Sequence, residues 1–103
     1  MKTQAGDPGA FAQFDLNRVP SPAFVIDEAK LRSNLEILQD VKDRSGTKIL
    51  GALKAFSMWE VAELVSEHLD GISASGLWEA RLGFDKFEAI ASNESCNICI
   101  CAF

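Results

Sequence analysis

Apolar positions along this chain fall alternately into helical stripes and short uninterrupted runs. Leu31, Leu35, Leu38 and Val41 recur at spacings of four, three and three, which sets them on one face of a helix whose other face is charged. The spacing predicts a helix over 28–44, with Asp27 as its N-cap and Ser45-Gly46 as its stop. Ahead of it, Ala23-Phe24-Val25-Ile26 reads as a short strand. Behind it, Lys48 and Lys54 bracket five uncharged residues, a run too short for a helix and bounded by turn signals, so a buried strand is expected there.

Ser57-Met58-Trp59-Glu60 has the spacing of a capping box, and Phe56 and Val61 are placed as a hydrophobic staple around it. A second helix should therefore run over 57–69, with Val61, Leu64, Val65 and Leu69 inward and Asp70-Gly71 ending it. Gly71-Ile72-Ser73-Ala74-Ser75 reads as a third strand, and Ser75-Gly76 opens a further helix from Leu77 to about Leu82. Such an alternation predicts an α/β fold with a parallel sheet and the helices outside it. Asp7-Pro8-Gly9 and Pro20-Ser21-Pro22 hold the first residues out of regular structure, although Phe11 and Phe14 could tether them to a neighbouring surface. The chain thus divides into an N-terminal extension (1–22), βα units (23–87) and an aberrant or truncated tail (88–103) with no clean period. Trp59 and Trp78 read as packing anchors, and His68 as a solvated residue near a helix end.

Composition narrows the function classes. A chain of 103 residues suits one small domain, whereas a complete (β/α)8 barrel takes roughly 250. The formal charge is −5 and the basic residues are scattered singly, so there is no basic stripe to neutralise phosphates and nucleic-acid binding is not expected. No apolar run approaches a membrane span, and Met1 to Gly9 lack the apolar core of a secretory signal, which makes a cytoplasmic location the expectation. Cys96, Cys99 and Cys101 crowd the last eight residues; an odd terminal cluster is no disulfide framework, and a zinc site would lack its fourth ligand.

Two places carry candidate chemistry. Lys54 stands at the C-terminal end of a predicted strand, the end at which parallel α/β folds gather ligands and catalytic groups. Its stem could simply pack along an apolar rim with the ammonium in water, or its amine could attack a carbonyl carbon as a Schiff-base lysine does. Ser73, Ser75 and Gly76, between strand and helix, could cap that helix or offer N–H groups to an anion. No glycine-rich phosphate loop is present.

Pro22-Ala-Phe-Val-Ile-Asp27, Lys48-Ile-Leu-Gly-Ala-Leu-Lys54-Ala-Phe-Ser57 and Gly71-Ile-Ser-Ala-Ser-Gly76 recur in an order and at separations that resemble the alanine-racemase-like, fold type III decarboxylases that depend on pyridoxal phosphate. Ala52-Leu-Lys-Ala-Phe-Ser-Met-Trp59 and Ser73-Ala-Ser-Gly-Leu-Trp-Glu-Ala-Arg81 are most similar to the carboxynorspermidine decarboxylase branch. The resemblance covers about Val19 to Phe87 and implies the start of a (β/α)8 barrel, truncated here. It implies Lys54 as the catalytic residue that holds pyridoxal 5'-phosphate, with Ser75 as a further cofactor contact. It also implies decarboxylation of carboxynorspermidine or carboxyspermidine to norspermidine or spermidine, by a whole enzyme that is a homodimer. Where related decarboxylases often carry an aspartate in the second barrel strand this chain has Ile72, and the later cofactor-binding elements of the family have no positions in it. A non-catalytic pyridoxal-phosphate carrier and a small βα interaction domain are the competing readings.

Overall fold

The structure, a computed structural model, describes residues 9–88 and 97–100. The first helix, α1 (Glu28–Ser45), forms where the leucine spacing places it. The Asp27 carboxylate accepts the Lys30 N–H at 3.1 Å, and Gly46, at φ 68°, turns left-handed and donates its own N–H to Lys42 O. Glu28 in the first turn and Lys42 and Arg44 in the last complement the helix dipole. Only half of the leucine stripe is covered: Leu35 is buried and Leu31 packs on the core, while Leu38 and Val41 are exposed.

Three strands, β1 (Leu50–Ala52), β2 (Gly71–Ala74) and β3 (Asn97–Ile100), make a parallel sheet in the order β1-β2-β3. Leu50 pairs with Gly71 and Ala52 with Ser73, and on the other side Gly71 pairs with Asn97 and Ala74 with Ile100. Between β1 and β2 runs α2 (Ala62–His68), and β2 leads into α3 (Leu77–Leu82), which a π-helical segment, Gly83–Glu88, extends. The parallel α/β expectation therefore holds for 50–82.

Four expectations change. Residues 23–26 form no strand, and Phe24 is 95% exposed, because β-branched and aromatic residues make a strand only where a neighbour accepts their backbone bonds. The capping box at Ser57 does not form. Instead a 3-10 turn, Trp59–Val61, precedes α2, with the Val61 N–H donating to Met58 O, the Ala62 N–H to Trp59 O, and no side chain capping it. Trp59 and Trp78 are 53% and 79% exposed, so neither anchors the packing. His68, by contrast, is buried, because it lies on the same face of α2 as Leu64 and Val65; its Nδ1 stands 2.9 Å from Leu64 O and must donate to that carbonyl. Of the expected tail, 88–103, all but Glu88 and the strand 97–100 lies outside the described residues. Phe11 and Phe14 meet edge to face at 6.1 Å, with Arg18 stacked over Phe14.

The core lies between the sheet and the helices, built on Leu35, Leu53, Leu64, Val65, Ile72 and Phe87. Gly83 lets the last helix close on β2, since a Cβ there would stand 2.5 Å from Ile72 Cδ1. At the N-terminal end of the strands a polar clamp ties three elements. Asp70 accepts the Ile49 N–H and returns its own N–H to Ile49 O, both at 2.9 Å, while Lys42 Nζ lies 3.5 Å from its other oxygen and donates to His68 O. Asp70 is held below the ordinary carboxylate range, first by the Ile49 N–H and then by Lys42, with partial burial opposing them.

Candidate functional site

Side chains of β1 and β2 alternate between two faces. A Cβ on Gly51 would meet Leu69 and Val65 of the α2 region, and Leu53, Ile72 and Ala74 are buried, so this face carries the helices. The opposite face, with Leu50 and Ala52 beside Gly71 and Ser73, is half-buried and made of small residues apart from Leu50. Lys54 lies two residues beyond the end of β1, where the strand gives way to a turn.

Lys54 is exposed in a tight turn closed by the Ala55 and Phe56 N–H groups on Ala52 O, at 3.0 and 3.1 Å. One residue earlier, Leu53 is buried and its N–H donates to Ser73 O at 3.2 Å, which fixes the strand end against β2. The pairing of β1 with β2 ends at Ala52 and Ser73; Lys54 follows two residues later in the turn after β1, and Ser75 is the residue just after β2. The two residues singled out from the sequence therefore end adjacent parallel strands at the same rim. Lys48, by contrast, precedes the N-terminal end of β1 and lies near the Asp70 clamp.

Just past Lys54, Ala55 to Glu60 and the segment Phe24 to Ile26 border an open groove of about 550 Å3. Phe24, Phe56 and Trp59 make it largely aromatic, with the Glu60 carboxylate among its walls. This groove was not legible from sequence, because 23–26 had been expected to pair in the sheet.

Ser75 does not act as a simple cap. The N-cap of α3 is Gly76, which has no side chain to offer, and the Ser75 N–H is bound by the Glu79 carboxylate. Glu79 is the residue that sequence reasoning passed over. Its position three residues after the N-cap is the glutamate position of a capping box, with glycine where the serine would stand. Ile72 is 2% exposed on the helix-bearing face, so it is part of the packing and not of the rim.

Lys54 fits a carbonyl cofactor as a point of covalent attachment, since a primary amine stands at the open end of parallel strands. The Ser75 N–H does not fit a phosphate group in the same way, because an internal carboxylate already holds it. Among the described residues, no helix is long and apolar enough to cross a membrane.

No family model matches the chain. Against curated proteins it is 41% identical over 69 residues to the carboxynorspermidine/carboxyspermidine decarboxylase of Herminiimonas arsenicoxydans, covering 67% of this chain and 19% of that protein. It is 44% identical over 64 residues to the enzyme of the same name from Campylobacter jejuni, covering 62% of this chain and 17% of that one. A third relative, the carboxyaminopropylagmatine decarboxylase of a Synechocystis species, is 38% identical over 72 residues, or 70% of this chain and 19% of its own. The chain thus spans about a fifth of the length of the curated relatives it matches. By sequence, then, this chain is a homologue of the carboxynorspermidine/carboxyspermidine decarboxylases.

Proposed function

We propose that this chain is part of a pyridoxal-phosphate-dependent carboxy-lyase that removes carbon dioxide from carboxynorspermidine or carboxyspermidine in polyamine biosynthesis. The names of its relatives support the reaction class. The observation that carries the assignment to residues is the position of Lys54 at the C-terminal rim of strands that are parallel and consecutive in order. A (β/α)8 barrel begins with strands in that order, and so does one half of a doubly wound sheet, so the sheet is compatible with both. The resemblance supports reading β1 and β2 as the first strands of such a barrel, and the whole enzyme as a homodimer follows from the same resemblance.

Lys54 would hold pyridoxal 5'-phosphate by its amine, with the Ser75 side chain as a second contact at the same rim. When bound, the cofactor supplies an electron-accepting ring that takes up the pair left when the bond to the departing carboxylate breaks. The chain's own part is to anchor and orient. Leu53, buried and bonded to Ser73 O, stops the strand end from shifting, and the turn closed on Ala52 O sets where Lys54 leaves the sheet.

The test is to incubate the chain with pyridoxal phosphate, reduce with borohydride and map the modified peptide by mass. The adduct is expected on Lys54 and should disappear in Lys54→Ala while surviving in Lys48→Ala. Recovery of the adduct on Lys48 or Lys86 would overturn the assignment.

A further inference from the structure

The turn from β2 into α3 has a donor that its backbone leaves unpaired. Ser75 precedes the N-cap, so no helical carbonyl reaches its N–H, and the first bond within α3 is that of Ala80 N–H to Gly76 O. Gly76 at the cap brings no side-chain oxygen, and its backbone is extended, at φ −167°. The Glu79 carboxylate takes the Ser75 N–H through Oε2. Glu79 is in turn fixed in place, because the neighbouring Ala80 is buried in the core and Gly83, one turn on, lies against Ile72 of β2. A carboxylate bond to a backbone N–H is charge-assisted and stronger than a neutral one.

We infer that Glu79 is a positioning residue: its carboxylate locks the Ser75 turn at the rim where β1 and β2 end, the rim that also carries Lys54, and takes the N–H that a phosphate would otherwise compete for. Placement of the cofactor beside this turn rests on the reading under Proposed function, whereas the lock itself does not. Two consequences follow for the site. The rim beside Lys54 keeps one shape whether or not a ligand is present, and a phosphate group anchored through Lys54 is bound by donors other than the Ser75 N–H.

Glu79→Ala removes the acceptor, while Glu79→Gln removes the charge but keeps an oxygen in reach. Hydrogen exchange over 73–79, followed by mass spectrometry on the whole chain, should quicken about tenfold in Glu79→Ala and much less in Glu79→Gln. Inorganic phosphate should leave exchange of the unsubstituted chain unchanged. Adduct formation at Lys54 should require several-fold more pyridoxal phosphate in Glu79→Ala, with rescue by Glu79→Gln. Unchanged exchange in Glu79→Ala, identical behaviour of the two variants, or protection of 73–79 by phosphate would each overturn the proposal. If the unsubstituted chain forms no adduct at Lys54, the cofactor reading fails, and the exchange measurements still decide the role of Glu79.

Discussion

Asp70 carries more of the fold's polar organisation than any other residue described. Its two oxygens join the start of β1 to the end of α1, and Lys42 carries the link on to His68 O at the end of α2. The pair is about one-fifth exposed at each side chain, enough burial for its bonds to matter and enough water to limit their strength. Asp70→Asn should destabilise the chain by about 1–3 kcal/mol, because the Lys42 charge loses its partner and the Ile49 N–H its charged acceptor. Since the folded-state pKa is lowered from 3.8, the stabilisation is complete above that value and is lost as the pH falls through the folded value. Denaturant titrations from pH 6 down to pH 2 should show an acid loss that Asp70→Asn makes smaller. An equal acid loss in both proteins would show that other carboxylates dominate.

Among the elements, the contact of the α3 extension with β2 is the most exacting. Gly83 has φ −56°, so an alanine meets no backbone objection, yet its Cβ would collide with Ile72, itself 2% exposed. Gly83→Ala should cost about 1–3 kcal/mol by overpacking, against the gain that alanine normally brings to a helix. Ile72→Val removes the Cδ1 that is struck, so the double variant should lose less than the sum of the two single losses. Additive losses in a double-mutant cycle of unfolding free energies would show that the helix end moves aside instead. The Ser66 hydroxyl, donating to Phe87 O at 2.9 Å, fastens the far end of the same segment to α2.

For the molecule as a whole, the apolar surface is the dominant feature. Phe24, Leu77, Trp78 and Phe84 are all more than three-fifths exposed, and Leu77, Trp78 and Phe84 border one shallow depression with Arg81 and Asp85. Contiguous apolar patches of this kind promote association. The isolated chain should therefore elute from a sizing column as concentration-dependent assemblies and bind an apolar dye. A monodisperse monomer with a single cooperative melt would contradict this expectation.

Much of this could be read in the residues themselves. Helix α1 was legible at both ends, because Asp27, the leucine spacing and Gly46 are local signals whose physics lies within one helix. The strand before Lys54 and the strand at Gly71 were legible from short apolar runs between turns, and with them the position of Lys54 at a strand end. Pairing was not, because a strand exists only through bonds to a neighbour: residues 23–26 look like a strand and find no partner, whereas 97–100 lack a clear period and are paired by β2. Burial was no more legible for His68, Trp59 and Trp78, since the face that a helix presents depends on what packs against it. The capping glutamate at Glu79 needed the turn to be in place before its carboxylate had an N–H to meet. The caps of α1 pass from sequence to structure, whereas the equally local capping box at Ser57 does not form, and the pairings that need two distant segments to meet are decided only when the chain folds.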